Sequence, residues 1–236
     1  MEEQSLGRAT PGIVGGIRFA FGAFTAVALG VQAYHSATAG RSLANFFSYF
    51  TILSNCSMTL VLLAGGVLGM AGRRGVPDLL RGAVTLYMAI TGLVYAIALA
   101  QYEALGTIPW VNDVVHRLMP LVIVVDWLAV PPRRPLPWAD ALWWLAFPLL
   151  YLPYTLIRGP IVDWYPYPFL DPRGKGYGHV VVSSVLITLA FLAVGALLVW
   201  AGNLLRRSRR RGAVGRSGQN NENPEKSPPR RRTVGP

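Results

Sequence analysis

The sequence predicts an all-α integral membrane protein of six transmembrane helices with both termini in the cytoplasm. Three observations predict it. Hydrophobic residues make up 53% of the 236 and charged residues only 14%, with a mean hydropathy of +0.39, whereas soluble domains carry roughly 25% charged residues. Six apolar stretches are each long enough to cross roughly 30 Å of hydrocarbon at about 1.5 Å per residue. Basic residues gather in alternate connecting segments, the pattern of the positive-inside rule.

Residues 1–12 form a short polar N-terminus, and the first span follows over 13–34 with Arg18 about one turn in. Ala37-Thr38-Ala39 before Gly40 resembles a signal-peptidase site. The apolar run exceeds the roughly 7 to 15 residues of a signal core and contains Arg18, so a retained helix is expected, with a cleaved signal as the alternative. The second span covers 46–70 and ends at AGRRGVPD, whose Gly, paired Arg and Pro mark a loop. The third covers 79–101, and YEALGTIPW leads through Pro109 and Trp110 into the fourth, 111–130. After PPRRPLPW the fifth covers 139–157, where Pro148 and Pro153 predict a kink. A long loop from Arg158 to His179, rich in Tyr, Trp, Pro and Gly, is expected at the headgroup level. The sixth span covers 180–205, and the basic, polar residues 206–236 are expected to be disordered because they cannot bury a core.

Charge then sets orientation. Arg73, Arg74, Arg133, Arg134 and the cluster from Arg206 all fall on the side of the N-terminus, which the rule makes cytoplasmic, in a plasma or inner membrane. The formal charge of +11 raises the question of nucleic acid, but ten of the 22 Lys and Arg residues follow Leu205 and no folded basic surface with aromatic readers accompanies them, so no nucleic-acid partner is expected. Arg206 to Arg211 beside a helix end instead predict attraction to anionic lipid headgroups. The lone Cys56 excludes an intrachain disulfide. No metal-ligand spacing and no phosphate-binding glycine loop is present, so neither metal nor cofactor is expected.

Ionisable groups inside a bilayer are costly and mark function or pairing. The fourth span holds Asp113, His116, Arg117 and Asp126. Asp113 and Arg117 are spaced to neutralise one another across one turn, and His116 is three residues from Asp113. Asp126, near the cytoplasmic end, is expected to pair with Arg133 and Arg134. In the second span Ser48, Thr51, Ser54, Asn55, Met58 and Thr59 recur every three or four residues and form one stripe. Such a stripe serves either as helix-packing glue or as a site. Both spans run inward from the outer side, with Thr51 about five residues past Phe46 and His116 about five past Val111, so each lies roughly 7 to 8 Å below its boundary. Neighbouring helices would bring the two side chains level.

A threonine hydroxyl within reach of an imidazole is an activated nucleophile for acyl transfer. Asp113 is a candidate to orient the imidazole, and the amide of Asn55, one turn below Thr51, a candidate oxyanion donor. Asp113, Asn55 and Arg117 are therefore supporting candidates beside Thr51 and His116.

At these residues the chain resembles the androgen-induced and androgen-dependent group of multi-pass membrane proteins and their small bacterial relatives. The resemblance covers about Arg18 to Leu205 and rests on YFTILSN, HRLMPLVIVVDW and YPYPFLD, in that order. It implies a threonine hydrolase of fatty acid esters of hydroxy fatty acids, with an essential Thr and His that fall on Thr51 and His116. The expected function is hydrolysis of a lipid-like ester through an acyl-threonine intermediate, with apolar substrate entering from the membrane and the loop from Asp163 to Tyr177 as a lid. The alternative is a non-enzymatic membrane protein, a small transporter, sensor or assembly factor, that uses the same polar cluster.

Overall fold

The structure, a computed structural model, describes residues 11–100 and 106–221. Among these there is no strand, and five helices are long and apolar enough to cross a membrane: Gly12–Thr38, Phe50–Met70, Asp78–Leu99, Trp138–Val162 and Pro172–Arg209. The fourth expected span is also one continuous helical run, built from α5 (Pro109–Asp113), a π turn (Val114–Leu118) and α6 (Met119–Ala129). Its three charges, Asp113, Arg117 and Asp126, set it apart from those five.

The first helix, α1 (Pro11–Thr38), packs along α3 (Phe50–Met70) through small residues. A methyl group built on Gly15 would stand 2.6 Å from Met70 N, and one on Gly66 would stand 2.7 Å from Phe19 N. Glycine is needed there because the two backbones are in contact.

The second expected span is divided. Leu43–Phe46 is a separate turn, α2, capped by the Ser42 hydroxyl on Asn45 N–H at 3.2 Å, and α3 begins only at Phe50. Tyrosines from a distant helix take over the interrupted ladder: Tyr151 Oη donates to Ser48 O at 2.8 Å and accepts from Phe50 N–H at 3.2 Å. The break therefore depends on tertiary contacts that no local signal announces.

The third expected span is α4 (Asp78–Val94), continued by a π turn, Tyr95–Leu99; its expected end at Gln101 lies outside the described residues, as do residues 1–10. The fifth breaks between α7 (Trp138–Trp143) and α8 (Ala146–Val162), with Pro148 in the first turn of α8 and Pro153 and Pro160 inside it. Because α8 runs to Val162 and α9 (Pro172–Asn221) starts early, with a non-helical Gly176 at φ 73°, the long loop shrinks to residues 163–171. This loop is not merely interfacial: Tyr167 and Leu170 are buried in the core of the bundle. Helix also continues past Leu205 to Asn221, where the sequence predicts disorder. Arginine is a good helix former, extending an existing helix costs little, and Arg209 Nη2 donates to Ala129 O at 2.6 Å. The rest of the tail, 222–236, lies outside the described residues.

Asp126 corrects the sequence expectation. It pairs not with Arg133 and Arg134 but with Arg18, through two contacts of 2.7 and 3.0 Å, and with Arg81 at 3.1 Å. Arg81 also reaches Asp78 at 3.1 Å and Val130 O at 2.9 Å. Two cations and two carboxylates thus cancel, and the network ties α1, α4 and α6 together. This gives Arg18 its partner.

Candidate functional site

The start of α3 and the π turn of residues 114–118 face each other, and Thr51 Oγ1 lies 3.3 Å from His116 Nε2. The meeting does not follow the expected residue count. Thr51 is the second residue of α3, whereas His116 is seven residues past Pro109. The two helices therefore do not begin at the same level, and His116 lies in a π turn, a widening found often at functional sites.

The other ring nitrogen fixes the tautomer. His116 Nδ1 is 3.2 Å from Asn112 O, and a carbonyl only accepts, so in the neutral imidazole Nδ1 carries the proton. Nε2 is left with its lone pair toward the Thr51 hydroxyl. Tyr95 holds the arrangement from one side: its ring stacks on the imidazole at 4.3 Å and 19°, and its hydroxyl accepts from Asn112 Nδ2 at 2.7 Å.

The three supporting candidates take other places. Asp113 does not orient His116; it pairs with Arg117, and both side chains are more than half exposed. A carboxylate i,i+3 to a histidine can turn outward, and this one does because Arg117 offers it a partner at the rim. Arg117 also places its guanidinium 5.4 Å from the centre of the Tyr95 ring. Asn55 is not an oxyanion donor, since its amide already donates to Thr51 O at 2.9 Å and Val115 O at 3.2 Å. It bridges the helices that carry Thr51 and His116.

Two tyrosines from beyond the fourth span complete the surroundings. Tyr151 and Tyr167 accept from the Phe50 and Thr51 N–H groups, at 3.2 and 3.1 Å, donors that a helix start leaves without a helical partner. Tyr167 Oη is also 3.4 Å from Thr51 Oγ1. Burial pushes the Tyr167 phenol up to about 12, so it keeps its proton at neutral pH. YPYPFLD is one of the stretches that carry the family resemblance, but nothing in it singles out Tyr167; Tyr95 and Asn112 carry no sequence signal at all.

Thr51 and Tyr167 stand on the wall of an open apolar cavity of about 100 Å³ between α4, α8, α9 and the 163–171 loop. Ile90, Pro148, Ile187 and Phe191 supply much of the remaining wall, and His116 lies outside it. Among the described residues no group of three or more His, Cys, Asp or Glu comes together to hold a metal ion.

No family model, no curated protein and no solved structure matches this chain.

Proposed function

We propose that this chain is an integral membrane threonine hydrolase of lipid-like esters, with six spans and both termini cytoplasmic. The observation that carries the reading is the 3.3 Å contact between Thr51 Oγ1 and His116 Nε2, with Nδ1 already engaged by Asn112 O. Thr51 Oγ1 attacks the ester carbonyl carbon while its proton passes to Nε2. The intermediate collapses, the C–O bond to the alcohol breaks, and the leaving oxygen takes that proton. Water then attacks the acyl-threonine, gives a proton to Nε2, and Thr51 recovers it as the carboxylic acid departs. No metal or organic cofactor enters these steps.

The apolar cavity beside Thr51 suits an acyl chain, and membrane lipids supply such chains. Residues 109–129 bring the number of spans to six because their charges are paired: Asp113 with Arg117, Asp126 with Arg18 and Arg81. The orientation is supported by contacts that gather the basic connections at one end, Arg133 N–H on Asp78 at 2.7 Å and Arg209 on Ala129 O. Arg206, Arg207 and Arg209 at that end would meet anionic headgroups on the cytoplasmic leaflet of a plasma or inner membrane. The resemblance to the androgen-induced group adds fatty acid esters of hydroxy fatty acids as the substrate class to try first.

The test is covalent labelling of membranes with a lipophilic fluorophosphonate. Wild-type protein is labelled and Thr51→Ala is not; equal labelling of both removes the acyl-threonine mechanism. A second reading, a non-enzymatic transporter or sensor, is favoured by the exposed Asp113–Arg117 pair one turn from His116. Substrate flux in liposomes that survives Thr51→Ala but is lost in His116→Gln would establish that reading instead.

A further inference from the structure

Two tyrosine hydroxyls meet the start of α3, and they are used differently. Tyr151 Oη has both roles filled by backbone, accepting from Phe50 N–H at 3.2 Å and donating to Ser48 O at 2.8 Å. Tyr167 Oη accepts from Thr51 N–H at 3.1 Å, but among the described residues its own proton has only Thr51 Oγ1 to reach, at 3.4 Å. That is beyond the roughly 2.5 to 3.0 Å of a good hydroxyl–oxygen bond. The Thr51 hydroxyl is in turn directed at His116. A buried, strongly polarised donor is thus left under-used beside the nucleophile.

We propose that Tyr167 is a catalytic residue whose hydroxyl donates to the oxyanion formed when Thr51 Oγ1 adds to an ester carbonyl. This deepens the hydrolase reading and rests on it. The oxyanion is separated from Oγ1 by a single carbon, so a donor 3.4 Å from the resting Oγ1 stands close to the roughly 2.7 to 3.1 Å that oxyanion stabilisation requires. Direction agrees with distance. Thr51 and Tyr167 share the cavity wall and His116 does not, so an acyl group arriving from the cavity meets Tyr167, while the leaving alcohol departs toward the base.

The bonds balance with no proton lost by the tyrosine. The Oγ1–carbon bond forms, the carbonyl π pair moves onto oxygen, and the threonine proton goes to Nε2. Tyr167 keeps its own proton, and collapse restores the carbonyl. Accepting the Thr51 N–H sharpens the phenol as a donor, because hydrogen bonds in a chain polarise one another. The N-terminal end of α3, which begins at Phe50, places positive potential at the same point. Because burial holds the phenol up to about 12, Tyr167 is a donor here and not a second base.

The experiment is steady-state hydrolysis of a chromogenic long-chain acyl ester by the full chain in nanodiscs, comparing wild type, Thr51→Ala and Tyr167→Phe. Tyr167→Phe lowers kcat about 100-fold while KM stays within about twofold, because the donor acts in the transition state and not in substrate binding. A Tyr167→Phe protein that remains folded and turns over at the wild-type rate overturns the proposal and leaves the hydrolase reading intact. If that variant does not fold, 3-fluorotyrosine at 167 preserves size and hydroxyl with a more acidic, stronger-donating phenol: kcat at neutral pH then changes while KM holds, and an unchanged kcat overturns the proposal. A wild-type protein inert to both ester and fluorophosphonate removes the hydrolase reading, and this proposal with it.

Discussion

Thr51 Oγ1 and His116 Nε2 are 3.3 Å apart although they come from helices 65 residues apart in sequence. The contact sets a simple order among variants. On the proposed hydrolysis, Thr51→Ser keeps a hydroxyl and should retain part of the ester turnover, while Thr51→Ala should leave none above background. His116→Gln keeps a side chain of similar size without a usable base and loses roughly 100- to 10,000-fold. Rate measurements on the three proteins in one membrane preparation check the order.

Asp113 gives a prediction opposite to the one a serine-type triad would make. A triad carboxylate replaced by its amide costs about 10,000-fold. Here the imidazole is oriented by Asn112 O, and Asp113 pairs with Arg117 at an exposed rim. Such pairs contribute about 0 to 1 kcal/mol, so Asp113→Asn should keep kcat within about threefold. A fall near the triad value would mean that the carboxylate turns inward during turnover.

Tyr95 separates two ways of holding the histidine. Tyr95→Phe keeps the ring stacked on His116 and removes only the bond from Asn112 Nδ2, whereas Tyr95→Leu removes both. Stacked pairs are worth about 0.5 to 1.5 kcal/mol, so the leucine variant should lose about tenfold in kcat and the phenylalanine variant distinctly less. Equal losses would place the whole effect in the hydroxyl.

These variants also mark what the sequence could and could not convey. Apolar length and charge asymmetry are local properties of the chain, so the helices along 13–34, 79–101 and 111–130 were readable within a few residues. The pair Thr51 and His116 was readable because polar residues in apolar helices stand out. The break before Phe50 was not, since it depends on Tyr151 and on Ser48, about 100 residues apart. Asn112 escaped for a different reason: its contribution to His116 is a backbone carbonyl, which every residue possesses. Arg133 and Arg134 are near Asp126 in sequence, but the folded chain brings in Arg18 from α1 and Arg81 from α4 instead.

Asp126 therefore carries a stability prediction. Arg18 and Arg81 are 12% and 5% exposed in their side chains and share this one carboxylate. Removing one partner of a buried pair costs about 3 to 5 kcal/mol because the other charge is left uncompensated. Asp126→Asn should lower the midpoint of thermal unfolding in detergent well below that of Asp113→Asn. Adding Arg18→Met to Asp126→Asn should recover part of the loss, since Arg81 still has Asp78 at 3.1 Å.

The cavity yields a prediction about chain length that depends on neither Asp126 nor Tyr95. Ile187 on α9 forms part of the wall that Thr51 also joins. Replacing it by tryptophan adds bulk where an acyl chain would lie without altering Thr51 or His116. Each methylene excluded from an apolar site forfeits about 0.8 kcal/mol of transfer free energy, so exclusion of three or four should reduce kcat/KM for a long-chain ester by roughly 100-fold. A short acyl ester, whose chain never reaches Ile187, should be cleaved at close to the wild-type kcat/KM. The ratio of the two substrates cancels expression and folding differences between preparations. An unchanged ratio in Ile187→Trp would place the acyl chain outside this cavity, on the membrane-facing surface, while leaving the proposed chemistry at Thr51 and His116 untouched.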